Sequence, residues 1–181
     1  IVIFAVSVML ILVWALVIAI ARTLPGDAGR PLRLMATAYC DLFRGLPSVI
    51  TIYLIGFGLP LTNLPIVSAL SSSTYAVIAL TLTYGAYTSE IYRAGIEGVH
   101  HSLIAAARSL GFSHAMTLRH VVIPIALRNI VPPLMNDCIS LQKDTALVSV
   151  IGTIDAFNQS KIIAANNFNL SAVTTVAILF V

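Results

Sequence analysis

The chain has 181 residues, of which 59% are hydrophobic and 9% charged, with 10 Lys+Arg against 7 Asp+Glu for a net charge of +3. An ordinary soluble domain carries about 25% charged residues, so this composition, with a mean hydropathy of +0.98, excludes a soluble enzyme, a disordered chain and a free nucleic-acid binder. It points to an all-α integral membrane protein with several spans.

The first predicted element is Ile1 to Ala21, which has no charged residue. At 1.5 Å per residue it reaches about 32 Å, enough to cross the hydrocarbon core. Arg22, Asp27, Arg30, Arg33, Asp41 and Arg44 follow, with Pro25-Gly26 as a helix breaker. Gly45 to Ser89 then runs 45 residues without a charge. One span takes about 20 residues, so the window holds two, predicted at 39–59 and 73–91. The turn between them belongs where Pro60, Asn63, Pro65 and Ser71 to Ser73 cluster.

Glu90 to Arg128 is charged and amphipathic. A fourth apolar segment is predicted at 121–141, broken by Pro124, Pro132 and Pro133, which membrane helices tolerate as kinks or restarts. The stretch 142–169 is mixed in character. Leu170 to Val181 would reach only about 18 Å. Both ends of the chain therefore read as cut within membrane segments of a longer protein, and 1–181 as a single transmembrane domain.

Orientation follows the distribution of Lys and Arg. The 22–44 connection carries Arg22, Arg30, Arg33 and Arg44, and the 60–72 connection has neither Lys nor Arg. The 92–120 connection carries Arg93, Arg108 and Arg119, while at 142–169 Lys143 and Lys161 are offset by Asp144 and Asp155. Five spans satisfy this alternation, with the N-terminus outside and the 22–44 and 92–120 connections in the cytoplasm. Cys40 and Cys138 stand far apart and form no CxxC, so neither a disulfide framework nor a zinc site is expected.

The most informative stretch is Glu90 to Asn136. Ser102 to Leu110 predicts a short helix with Ser102 as N-cap, Ala105-Ala106-Ala107 as a thin surface and Gly111 as the stop. Ser113 can cap a second helix through Arg119 and His120. A lipid-surface helix shows large apolar residues opposite Lys and Arg. This one shows few of either, which favours docking against a partner.

AAARSLGFS followed by VVIPIALRN resembles the EAA loop of binding-protein-dependent ABC importer permeases, and is similar to the polar amino acid branch in particular. Asp41 to Pro47 (DLFRGLP), Phe57 to Pro60 (FGLP), Tyr87 to Gly95, Ile139 to Thr145 (ISLQKDT) and Leu147 to Gly152 (LVSVIG) resemble further segments of that branch, in order, over residues 40–155. Two departures stand out. Ala105 occupies the position of the motif's leading Glu, and His100-His101 replace the Pro-Lys that commonly precedes the coupling helix.

The resemblance implies a fold of about five transmembrane helices, in a multi-pass subunit of the bacterial cytoplasmic (inner) membrane. It implies a second permease subunit in a homo- or heterodimer, two cytoplasmic ATPase subunits and an extracytoplasmic substrate-binding protein. ATP and Mg would be bound by the partner ATPase. No cofactor is implied for this chain, which contains no GxxxxGK[ST]. Ala105, Ala106, Ala107, Arg108 and Gly111 would form the ATPase-coupling element within a cytoplasmic segment at about 93–120. The cargo would be a polar amino acid moved by alternating access. Alternatives are an opine, cystine or other small zwitterion on the same fold, or an ion-gradient-driven transporter or channel. The last predicts internal inverted repeats, which the sequence does not display.

Asp137 and Asp144 are seven residues apart. Seven steps of 100° make about 700°, so on a continuous helix they share one face about 10.5 Å apart. Ser140 lies between them, with Asn136 and Asn129 close to the stripe. A polar stripe in an apolar segment must face protein or water. Asp137, Asp144, Ser140 and Asn136 are therefore candidate substrate-binding residues, with the carboxylates facing an ammonium or guanidinium. The structural alternative pairs Asp144 with Lys143 or a neighbouring helix. Glu90 and Arg93 are spaced to pair at i,i+3 at the cytoplasmic interface. His114 and His120 lack the i,i+4 spacing of a zinc pair, and no nucleophile–base set is apparent.

Overall fold

The computed structural model describes residues 2–24, 26–62, 64, 69–152, 156–167 and 170–179, and within them every regular element is helical. Pro25, Asn63, Pro65, Asp155 and Asn169, used above to place connections, lie outside the described residues.

Helix α1 (Val2–Thr23) buries Ser7, Ile11, Ala15, Ile18 and Ala21. That spacing of four, four, three and three is one helical stripe. Its other faces present Met9, Val13, Leu16 and Ile20 outward. By length and hydropathy α1 is the one described helix that passes as a span unaided. Helix α2 (Arg30–Gly45) buries Ala36 and Cys40.

The second expected span, 39–59, is not one straight helix. α2 stops at Leu46, which is extended at φ −99 and ψ 134, and α3 (Ser48–Tyr53) begins after Pro47. The segments Arg30–Gly45 and Ser48–Thr62 meet at 107°. The cause is local: proline has no N–H to donate, and its ring pushes the preceding residue out of the helical region. α3 continues through a wide π turn, Leu54–Gly58, into a short 3₁₀ turn at Pro60–Thr62.

Helix α4 (Ser72–Glu97) is the central element. Ser71 caps it by accepting the Thr74 N–H at 3.3 Å. Its 26 residues extend about 39 Å, longer than the predicted 73–91. It packs against α1, α2, α3 and α7. Small residues make this possible: a Cβ on Gly85 would stand 2.5 Å from Trp14 Cδ1, and one on Gly95 would stand 2.3 Å from Ile130 Cγ1.

Two short helices follow, α5 (His101–Ser109) and α6 (His114–Thr117). The expected second short helix is not separate. It passes through a π turn at Leu118–Val122 directly into α7 (Ile123–Asp144). Pro132 and Pro133 do not break α7, so the predicted interruption of the fourth segment is corrected to a continuous helix. A 3₁₀ segment (Thr145–Ile151) ends at Gly152 with φ 80. Helices α8 (Ala156–Asn167) and α9 (Ser171–Leu179) complete the described chain.

The largest buried cluster joins Ile11, Ile52, Tyr75, Leu80, Leu141 and Val148, so it draws on α1, α3, α4, α7 and the 3₁₀ segment. Trp14 and Tyr39 tie α1 and α2 to α4. Trp14 Nε1 donates to the Tyr39 hydroxyl at 2.9 Å, which in turn donates to the Leu82 carbonyl at 2.5 Å. Cys40 and Cys138 are both free thiols.

Candidate substrate cavity and coupling segment

Because α7 is continuous, the seven-residue spacing of Asp137 and Asp144 places both on one face. They line, with Ser140, a cavity of about 210 Å³ whose other walls are Ser48, Thr83, Tyr84 and Tyr87. The break at Pro47 brings Ser48 here, and α4 supplies Thr83, Tyr84 and Tyr87. Among the described residues, neither aspartate forms an ion pair with a Lys or Arg, so Asp144 does not pair with Lys143; its partner from a neighbouring helix is the neutral Tyr84 hydroxyl of α4, with which it shares a side-chain hydrogen bond. Thr88 Oγ1 donates to Asp137 Oδ2 at 3.1 Å. The Thr83 hydroxyl is buried and, among the described residues, has no hydrogen-bond partner, as is also true of Ser7, Thr51 and Thr81 elsewhere in the bundle. Asn136 is exposed and lines neither this cavity nor the next.

A second cavity, of about 410 Å³, includes Asp137 and Tyr87 in its walls as well, with Arg44, Glu90 and Asn129. Asn129 Nδ2 donates to the Gly95 carbonyl at 3.3 Å. Glu90 is the centre of a charge cluster. Arg22 Nη1 approaches its Oε2 at 2.6 Å, Arg93 hydrogen-bonds to it from the next turn, and Arg44 stands 3.8 Å away. Arg93 also pairs with Glu97. Hydrogen bonds to Glu90 first and Glu97 second raise the Arg93 pKa above its ordinary value. The i,i+3 pair was legible in sequence; Arg22 is 68 residues from Glu90, and no local spacing signals it.

On the far side of Glu97 the chain turns into α5. The helix starts at His101, one residue earlier than predicted, and its N-cap is His100 rather than Ser102. The exposed Ser102 N–H needs an acceptor, and His100 Nδ1 supplies it at 3.3 Å. The helix closes as expected at Gly111, with φ 85. Phe112 N–H reaches the Ala107 carbonyl at 3.1 Å and Gly111 N–H the Arg108 carbonyl at 3.0 Å, the double closure that a left-handed residue permits. Ser113 caps α6 by accepting the Met116 N–H at 3.3 Å. Ala107 is buried, whereas Ala105, Ala106, Arg108 and Gly111 are exposed. Leu103 and Leu110 flank Ala106 and are 45% and 79% exposed. Among the described residues no group of His, Cys, Asp or Glu is arranged to hold a metal.

Comparison with known proteins agrees with this architecture. Residues 15–181 match the family described as "Binding-protein-dependent transport system inner membrane component". The chain is 37% identical over 158 residues to the L-cystine transport system permease protein TcyB of Bacillus subtilis, a match covering 87% of this chain and 64% of that protein. It is 34% identical over 133 residues to the "Probable amino-acid permease protein YxeN" of Bacillus subtilis, covering 74% of this chain and 59% of the relative. The chain thus spans less than two thirds of the length of these two relatives. A solved structure described as a crystal structure of an amino acid ABC transporter with histidines superposes with a TM-score of 0.86 at 34% identity, covering 98% of this chain and 80% of that one. With the family match running over most of the chain, and the all-helical fold shared with that transporter, the chain belongs to the inner membrane components of binding-protein-dependent transport systems.

Proposed function

We propose that this chain is the permease subunit of an ATP-driven ABC importer that carries a polar amino acid across the bacterial inner membrane by alternating access. The observation that carries this reading is the cavity of about 210 Å³ holding Asp137 and Asp144 with no cation in its walls. Carboxylates inside an apolar bundle without a counter-ion are costly, and a cargo ammonium or guanidinium supplies one. The names of the relatives support an amino acid as cargo, and TcyB's name keeps cystine among the candidates.

The partners follow from the family. A second permease subunit completes the pathway, an extracytoplasmic binding protein delivers cargo, and two ATPase subunits bind ATP and Mg. The subunit itself is a multi-pass membrane protein that moves cargo and leaves ATP hydrolysis to its partners. The exposed face of α5, with Leu103, Ala106 and Leu110 and the left-handed stop at Gly111, is the docking surface for an ATPase. Loss of the motif's Glu at Ala105 leaves shape rather than a salt bridge as the basis of that contact. Closure of the ATPase pair pulls on α5, and α6 transmits the motion into α7, where the aspartates sit.

The test is uptake into proteoliposomes containing the assembled complex and binding protein. Uptake of labelled amino acid is expected to require ATP and to persist when ion gradients are collapsed by ionophores. Uptake driven by an ion gradient without the ATPase would overturn the reading.

A further inference from the structure

The cavity of about 410 Å³ holds groups of both charges, Arg44 and Asp137, together with Glu90, Tyr87 and Asn129. The neighbouring cavity of about 210 Å³ has carboxylates and hydroxyls but no cation in its walls. An α-amino acid carries an ammonium and a carboxylate on one carbon. The outer set offers anions to the ammonium but only neutral hydroxyl donors to the carboxylate; the inner set offers an opposite charge to each.

Arg44 is the least committed of the three guanidinia around Glu90. Arg22 takes Glu90 Oε2 at 2.6 Å, and Arg93 bonds to both carboxylate oxygens. Arg44 stays at 3.8 Å, outside hydrogen-bond distance, with its side chain 41% exposed against 13% for Arg22 and 31% for Arg93. Arg22 and Arg93 are bonded to Glu90, and Arg93 also to Glu97, which leaves Arg44 as the guanidinium of the three without a hydrogen-bonded carboxylate among the described residues. It lines the cavity together with Asp137. Its planar fork matches a carboxylate with two parallel hydrogen bonds. Its backbone is held in place, since the Tyr87 hydroxyl donates to the Arg44 carbonyl at 3.2 Å just before the break at Leu46-Pro47. Small residues, Ala94, Gly95 and Gly98, keep the opposite wall open.

We propose that Arg44 is a specificity-determining residue that receives the cargo's α-carboxylate while Asp137 holds its α-ammonium, so that the inner cavity reads the zwitterionic head of an α-amino acid. This rests on the cargo reading above and extends it. Asp137 and Tyr87 belong to both cavities, so cargo moves inward by keeping its ammonium on Asp137 and exchanging the hydroxyl-lined outer cavity for the Arg44 guanidinium.

The test is equilibrium binding of labelled L-histidine and L-glutamine, each against its α-carboxamide, to the assembled complex in lipid nanodiscs without the binding protein. At about pH 6 the α-amino groups are protonated, so each pair differs in the carboxylate charge. Wild type is expected to prefer the acid by about ten- to a hundredfold, the worth of a charge-assisted hydrogen bond. Arg44→Gln should bring that preference close to one. Arg44→Lys, which keeps the charge beside Glu90 but loses the fork, should give an intermediate preference and serves where the Gln variant does not assemble. Asp137→Asn should weaken acid and amide alike. If the Arg44 variants keep the wild-type preference while Asp137→Asn weakens both ligands, the role of Arg44 is overturned and the cargo site stands. If wild type binds neither amino acid, or neither residue matters, both readings fall.

Discussion

The interior face shared by α4 and α7 and the exposed face of α5 are built on opposite principles. The interior puts carboxylates and hydroxyls into an apolar bundle and leaves the carboxylates without a counter-ion: among the described residues Asp137 and Asp144 have hydroxyl partners, Thr88 and Tyr84, but no ion pair. The α5 face sets Leu103, Ala106 and Leu110 beside neutral Ser102 and Ser109 and carries no carboxylate, and it is sharply bounded, by the His100 cap at one end and the left-handed Gly111 at the other. The first region works through charge, and its geometry tolerates a change of shape better than a change of sign. The second works through shape, and there a change of volume matters more than a change of polarity. In the account above, one binds cargo and the other receives force.

That contrast can be broken most severely at Ala106. Ala106→Glu puts a longer, charged side chain on the exposed α5 face between Leu103 and Leu110. It is expected to abolish transport while ATP hydrolysis by the complex loses its dependence on cargo, with membrane insertion unchanged on immunoblots of membrane fractions. Wild-type transport by this variant would remove α5 from the coupling path.

A smaller effect is expected at the charge cluster that separates the two regions. Glu90→Gln leaves Arg22, Arg44 and Arg93 facing one another without their central anion. Breaking a buried pair costs about 3–5 kcal/mol and an exposed one about 0–1 kcal/mol; with side chains 13% to 41% exposed, this cluster lies between, at about 1–2 kcal/mol. The checking measurement is thermal unfolding of the purified complex in detergent, where an unchanged midpoint would show the cluster to be dispensable.

The smallest effect belongs to Gly111. No atom lies within 4 Å of a Cβ placed there, but its φ is +85, so Gly111→Ala is strained by backbone alone. The left-handed conformation costs an alanine about 1 kcal/mol more than a glycine. Transport should fall only a few-fold, whereas Ala106→Glu removes it. Equal losses at the two positions would mean that the position of the turn, not the docking surface, is what α5 contributes.

Much of this was legible in the residues. Hydropathy located α1. The stop at Gly111 and the cap at Ser113 followed from residue type, and the Asp137–Asp144 face from helical spacing. Pro47 carried the signal for the 107° break, but it lies inside a charge-free window where the search for spans favoured continuity. Pro132 and Pro133 erred in the opposite direction, because α7 accommodates both. The Arg22 and Arg44 partners of Glu90 and the hydroxyl walls from Ser48, Thr83 and Tyr84 come from other helices, and no pattern within a segment marks them. Asn136, close to the stripe by spacing, is exposed and lines neither cavity, and spacing on one helix does not show which neighbours close a cavity.

The most direct test of the carboxylate site is cargo-stimulated ATP hydrolysis by the reconstituted complex carrying Asp144→Asn or Asp137→Asn, measured with a cationic and an anionic amino acid. Each substitution removes a charge-assisted contact worth about 1.5–3 kcal/mol. The concentration of cationic cargo needed for half-stimulation should rise by about ten- to a hundredfold, with a smaller change for the anionic one and none in the affinity of the isolated binding protein. Unchanged stimulation by every amino acid in both variants would make the two aspartates structural and contradict the assignment of the cargo site.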